Sequence, residues 1–245
     1  MKNLRLVLQF VCIVTLLCAA LFWIAGSGWS QWADVWEYRQ FFLYGWLMTI
    51  ALSLVSLVLS LLIGTIAAVL RRSQITPFVL LSQLYIELIR GTPLLVQILF
   101  FYYVVAHSIG LENRYVAGVL ILSLFHGAYI AEMIRSGLDS ISATQLSSAR
   151  AIALSKIQTF RFVIFPQAIR LVIPPLAGQF ASIIKDSSLL SIIGINELTN
   201  SAQQINSATY STLESFLPLA LAYLVLTLPI SLLSKQLEKK FQYET

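Results

Sequence analysis

Long apolar runs, most of them bounded by basic residues, set the pattern of this chain. A helix needs about twenty apolar residues to cross a bilayer. Six runs qualify: Leu4 to Ala25 after Lys2 and Arg5; Phe41 to Leu70, closed by Arg71 and Arg72; Phe78 to His107; Tyr115 to Ile134, closed by Arg135; a run from near Pro166; and Leu213 to Leu233, ahead of Lys235, Lys239 and Lys240. The fifth is interrupted by Pro174–Pro175 and by Lys185–Asp186, which are expected to break it. The pattern predicts an all-α polytopic membrane protein with about six transmembrane helices. The first run exceeds the roughly 7–15 residue core of a cleaved signal, so it is read as a retained helix.

The third run holds an anomaly, YIELIRGTPLLVQ, from Tyr85 to Gln97. It sets Glu87, Arg90, Gly91 and Pro93 inside an otherwise apolar stretch. An ionisable side chain at membrane depth costs at least about 2.5–3.5 kcal/mol, which makes it a functional candidate. Glu87 and Arg90 are three apart on one helix face and are expected to pair. A rise of 1.5 Å per residue from Phe78 carries Arg90 about 18 Å in, near mid-bilayer. Gly91 and Pro93 then break the helix, and broken backbone at that depth needs protein or a water-filled path beside it. Two readings follow: an ion pair that fixes helix packing, or a lining of a path. Glu132 and Arg135, three apart near the inner end of the fourth span, are expected to pair and to gate or brace the following loop.

Composition agrees with the pattern. Hydrophobic residues make up 58% of 245 and charged residues only 11%, with mean hydropathy +0.81. A soluble domain carries about a quarter charged residues. The net charge of +5 would suggest nucleic acid in a soluble protein. Here the bases sit at span ends, where they set topology. Between Arg135 and Arg170 there are five Lys or Arg and one acid, Asp139. Both termini are therefore expected in the cytoplasm, with residues 26–40 outside and Trp29, Trp32 and Trp36 at the interface. Cys12 and Cys18 share one apolar run and are too far apart on a helix to bridge. His107 and His126 lack partners at ligand spacing, so no metal site is expected.

The segment Ser136 to Arg170 lies between spans yet reads as structured. Ser142 or Thr144 is placed to cap a helix through Ala153. Ser155 and Gln158 form a capping box for a second helix, which Pro166 is expected to close. Such a pair of short helices suits an interfacial anchor, a re-entrant loop or a dock for a cytoplasmic partner.

The segment resembles the cytoplasmic loop of ABC-importer permeases. The match runs through Gln145, Ala149, Ala151, Leu154 and Ser155 to IFPQAIRLVIPPL, and continues in KDSSLLSIIGINEL. Upstream, GAYIAEMIRSGLDSI and YIELIRGTPLLVQ are similar to signatures of the polar amino acid uptake family of these permeases, the histidine, glutamine and arginine types. The resemblance spans about Gly45 to Lys235. It implies a type I importer permease domain over 41–245, with 1–40 as an added helix and external segment. It implies that the loop 136–166 meets an ATP-binding subunit through Gln145, Ser147, Ser148, Ala149, Ala153, Leu154 and Pro166. The chain departs from the family signature at Ser147 (usually Glu), Ser148 (usually Ala) and Ala153 (usually Gly). Alanine at 153 restricts a turn that glycine takes freely.

The resemblance further implies a substrate path past Glu87, Arg90, Gly91, Pro93, Lys185, Asp186, Ser187 and Ser188. A zwitterion needs a cation for its carboxylate and an anion for its ammonium, which Arg90 or Lys185 and Asp186 or Glu87 would supply. The expected protein is a transport subunit of the inner membrane, not an enzyme. It would work as a homo- or heterodimer, with a periplasmic or lipid-anchored amino-acid-binding protein. It holds no cofactor: the phosphate-cradling G-x-x-x-x-G-K-[ST] is absent from the sequence, so ATP would bind a partner. An ion-coupled secondary transporter is the alternative, although no internal repeat is evident. An intramembrane enzyme would need a catalytic constellation that does not appear at suggestive spacing.

Overall fold

The structure is a computed structural model that describes residues 29–241, together with Thr15, Leu16, Ala19, Ala20 and Trp23. The first expected span, with Cys12 and Cys18, otherwise lies outside the described residues, as does the side chain of Trp29. Helices α1 (Trp29–Glu37), α2 (Arg39–Arg71), α3 (Thr76–Arg90) and α4 (Leu94–Phe100) come first, and α4 continues through a π-helical turn, Phe101–Ala106. Then follow α5 (Arg114–Asp139), the short α6 (Ala143–Ala151) and α7 (Lys156–Thr159), and α8 (Phe165–Asp186). A 3-10 turn (Ser187–Ile193), α9 (Leu198–Thr209) and α10 (Thr212–Phe241) complete the order. Among the described residues no strand occurs. Among the described residues four helices are long and apolar enough to cross a membrane, and the pair α3 and α4, bent by 108°, makes a fifth if counted as one span.

The chain divides into two compact units. One comprises Thr49–Ile195 and Val225–Thr245. Its helices approach closely through small residues, the means available where lipid offers no hydrophobic drive. A Cβ on Gly64 of α2 would stand 2.8 Å from the Gly127 carbonyl of α5. Ser82 donates to the Ala67 carbonyl (2.7 Å) and Tyr85 to the Leu124 carbonyl (2.6 Å), tying α3 to α2 and α5. Ala67, Ala68, Ile86 and Ala131 form the core between them. On α5's other side, Gly137 admits Val172 of α8.

Three expected interruptions do not occur. The chain stays helical from Lys156 to Ile193. Pro166 falls in the first turn of α8, after the π-helical turn Phe160–Ile164, so its missing N–H leaves no gap in a regular ladder. Pro174 and Pro175 lie inside α8 without ending it. Pro174 is buried, and its carbonyl accepts from Ser234 of α10 (2.9 Å). Nor do Lys185 and Asp186 break the run: the helix tightens into the 3-10 turn that follows. Packing against neighbours holds α8 helical where its local sequence does not.

The second unit comprises, among the continuously described residues, 29–48 and Asn196–Leu224. Its centre is Glu197, fully buried at the N-cap of α9. The carboxylate accepts from the amides of Thr199 (2.9 Å) and Asn200 (2.7 Å) and from the Tyr223 hydroxyl (2.9 Å). It thereby satisfies amides that a helix start leaves unpaired. Burial pushes its carboxyl up to about 7.

Candidate functional site

The break between α3 and α4 is a built joint. The Gly91 amide closes α3 on the Glu87 carbonyl (2.8 Å), and a Cβ there would stand 2.8 Å from that same oxygen. Glycine is required by this contact, not by its φ of −82°. Thr92 donates to the Leu88 carbonyl (2.9 Å), and Pro93 starts α4 in extended backbone. Gln97 reaches back from α4 and is buried. Its Nε2 donates to the Ile89 carbonyl (2.7 Å), the Thr92 carbonyl (3.1 Å) and Thr92 Oγ1 (2.8 Å). Carbonyls freed by the bend thus find a donor, as buried backbone requires. A cavity of about 220 Å³ opens beside the joint, lined by Leu88, Ile89, Val96, Phe100 and Phe101 with Thr92 and Gln97.

The two charges of the break do not pair with each other. Glu87 is exposed and accepts from Gln83 one turn back (2.8 Å). Arg90 lies over the Tyr129 ring (5.4 Å) and 3.9 Å from Glu132, both on α5. Glu132 also accepts from Arg71 (3.0 Å) and from Arg135 Nε (3.0 Å). Asp139 takes Arg135 (2.7 Å) and Arg72. Four guanidinium groups therefore face two carboxylates. Because Arg90 shares Glu132 with Arg71, the last residue of α2, it sits level with the basic end of the bundle.

Asp186 ends α8, with Lys185 exposed beside it. The Asp186 side chain is 35% exposed, and its Oδ2 stands 3.4 Å from His126 Nε2. Ser187 is buried and donates to the Ile184 carbonyl (2.8 Å), while Ser188 is half-buried. His126 and Tyr129 are three apart on α5, so one turn of one helix meets both Asp186 and Arg90. Sequence reasoning passed over Gln97 and His126. Their signal was a polar side chain inside an apolar run, without a charge to draw notice.

The loop holds one short capped helix, α6, and then the capped start of the long helix that runs on from Lys156 to Ile193, so both caps form as their residues predict but the second helix is not closed at Pro166. Ser142 accepts from the Gln145 amide (3.3 Å), and Ser155 with Gln158 completes a capping box. Between them Ala153 adopts φ 57°, in the left-handed region. The Ala153 amide reaches the Arg150 carbonyl (2.9 Å) and the Leu154 amide the Ala149 carbonyl (3.1 Å). This is a Schellman ending with alanine where glycine is usual, at a strain of about 1 kcal/mol. Gln145, Ser147 and Ser148 are exposed on α6, Ala149 is buried, and Leu154 and Pro166 are half-buried. Ile152, Ile157, Phe160 and Phe162 are exposed around the same turn.

Known proteins match both the sequence and the fold. Residues 60–243 match the family model described as binding-protein-dependent transport system inner membrane component. The chain is 36% identical over 202 residues to the probable glutamine ABC transporter permease protein GlnM of Bacillus subtilis, covering 80% of this chain and 93% of that one. It is 34% identical over 216 residues to the glutamine transport system permease protein GlnP of Escherichia coli K12, covering 86% and 98%. It is similar to the crystal structure of an amino acid ABC transporter with histidines, with TM-score 0.78 and 36% identity over 83% of this chain and 95% of that one. The MetNI methionine ABC transporter in an inward-facing conformation shares the fold alone, with TM-score 0.68 and 16% identity. The chain belongs to the family of inner membrane components of binding-protein-dependent transport systems.

Proposed function

We propose that this chain is the permease subunit of an ATP-driven importer of polar amino acids, of the glutamine type. It forms the path in a homo- or heterodimer, with residues 1–40 as an added N-terminal segment and both termini in the cytoplasm. Asp186 receives the substrate ammonium, and Arg90 or Lys185 the carboxylate. Glu87, Gly91, Pro93, Ser187 and Ser188 line the path or hold its shape. The loop 136–166 docks on a separate ATP-binding subunit, with Gln145, Ser147 and Ser148 facing it and Ala149, Ala153, Leu154 and Pro166 holding the loop's form. ATP is bound by that subunit, and a binding protein delivers substrate.

One observation carries the reading: opposite charges, Arg90 and Asp186, meet a single turn of α5 within a bundle of apolar helices. The relatives' names, glutamine transport permeases, support the choice of substrate. The capped helix α6 and the capped turn into the next span give the loop a fixed surface with apolar side chains outward, which suits docking better than a slack linker.

The test is glutamine uptake into proteoliposomes holding the chain with its ATP-binding subunit and binding protein. The expected result is ATP-dependent uptake that Asp186→Ala abolishes while the subunits still assemble. Uptake driven by an ion gradient without ATP would overturn the reading in favour of a secondary transporter.

A further inference from the structure

His126 is 0% exposed, so no substrate touches it. It is nevertheless polar at both ring nitrogens. On one side Gln179 Nε2 of α8 stands 2.6 Å from Nδ1. On the other, Nε2 faces Asp186 Oδ2 at 3.4 Å and has no hydrogen-bond partner among the described residues. In a neutral imidazole one nitrogen donates and the other accepts. With the Gln179 amide donating to Nδ1, the proton sits on Nε2 and points at the carboxylate. The opposite amide orientation would set a bare nitrogen lone pair against an anion.

We infer that His126 is a positioning residue for Asp186: Gln179 fixes its tautomer, and its buried Nε2–H holds one carboxylate oxygen so that the other faces the path. The inference rests on the reading of Asp186 as the group that receives the substrate ammonium.

Three features support it. An unpaired buried N–H costs about 1–3 kcal/mol, and turning the Asp186 carboxylate toward His126 is the movement that relieves it. At 3.4 Å the contact is longer than an ordinary hydrogen bond, and a small turn of the carboxylate about its own bond closes it. The donor is also neutral. A lysine or arginine in its place would fix the carboxylate but cancel its charge. A neutral imidazole fixes it and leaves the full charge for a substrate cation. Near Asp186, cationic Lys185 projects from the next position of α8, about 100° around the helix, and is exposed. Specificity for an amino group over a neutral substrate thus depends on a residue the substrate never meets.

The test uses the assembled importer in proteoliposomes with glutamine as substrate. His126→Leu is expected to raise KM for uptake at least about tenfold, since a lost or misdirected charge-assisted contact is worth 1.4 kcal/mol or more. His126→Gln, whose amide nitrogen can replace Nε2, is expected to recover most of that loss. In an Asp186→Asn background, His126→Leu is expected to add nothing. Nitrogen NMR of labelled His126 should show a protonated Nε2 and a bare Nδ1. The reverse tautomer would overturn the inference, as would Leu and Gln variants equally impaired, or a His126→Leu effect of the same size in both backgrounds. Wild-type uptake by Asp186→Asn would overturn the underlying reading of the site. Loss in Asp186→Asn alongside wild-type KM in His126→Leu would overturn this inference alone.

Discussion

Gln97 and Glu197 solve the same problem with opposite chemistry. Each is a buried polar side chain that serves loose backbone at a helix end. Gln97 supplies donors to carbonyls left over where α3 stops. Glu197 supplies acceptors to amides left over where α9 starts. Helix polarity dictates which kind of group each end needs. The difference lies in what each device costs. An amide is neutral at every pH, so the joint at Gly91 holds without regard to protons. A carboxylate buried among its donors must give up hydration to ionise, so α9 rests on a group that titrates.

The largest effect is expected from removing the neutral device. Gln97→Leu strands two carbonyls at the bend, and should cost about 3–5 kcal/mol at roughly 1–3 kcal/mol per stranded group. Thermal unfolding in detergent measures it, and a loss under about 1 kcal/mol would mean that water or lipid already serves those carbonyls.

Glu197 gives the contrasting result. Its folded-state carboxyl is raised from an ordinary 4.5 to about 7, so the folded protein holds a proton that the unfolded chain releases. Stability from this site is whole below pH 4.5 and is lost as pH rises through about 7. The span corresponds to about 3 kcal/mol. Unfolding followed from pH 5 to pH 8 should show that slope in the wild type and in Gln97→Leu, and lose it in Glu197→Gln. A slope that survives Glu197→Gln belongs to another group and removes the contrast.

Gly91→Ala tests whether the joint needs its close approach as well as its donor. The added Cβ meets a backbone oxygen at 2.8 Å, which cannot swing aside as a side chain would. The expected loss is about 2 kcal/mol, independent of pH. The smallest effect, with the opposite sign, is expected at Ala153. There a helix ends on a left-handed alanine, its last carbonyls taken by backbone amides and by no side chain that titrates. Ala153→Gly should gain up to about 1 kcal/mol and slow hydrogen exchange at the Leu154 amide. Faster exchange would show that the alanine is not strained.

These pairs also mark how far the sequence could be read. Apolar runs ended by arginines gave the spans, because lipid imposes length and polarity directly. Gly91 and Pro93 announced a break, and Ser142 and Ser155 announced caps, because those residues act within four positions of themselves. Whatever depended on a distant partner was not legible. Pro174 and Pro175 signalled a break that α8 does not make, since its packing and a bond from Ser234 outweigh the local preference. Arg90 pointed to Glu87 by spacing, yet it went to Glu132, forty-two positions on, where α5 offers both an acid and the Tyr129 ring. Gln97, His126 and Gln179 look like stray polar residues until the fold sets them against a carbonyl, an acid or a ring.

Helix α5 has a mechanical property worth stating. It is unbroken from Arg114 to Asp139, and α6 begins four residues later. The thirteen steps of helix from His126 to Asp139 make a strut of about 20 Å. A helix is stiff along its axis, so a push at the loop end arrives at His126 and Tyr129 without being absorbed between. Partway along, Glu132 fastens the strut through Arg71 to α2 and through Arg90 to α3.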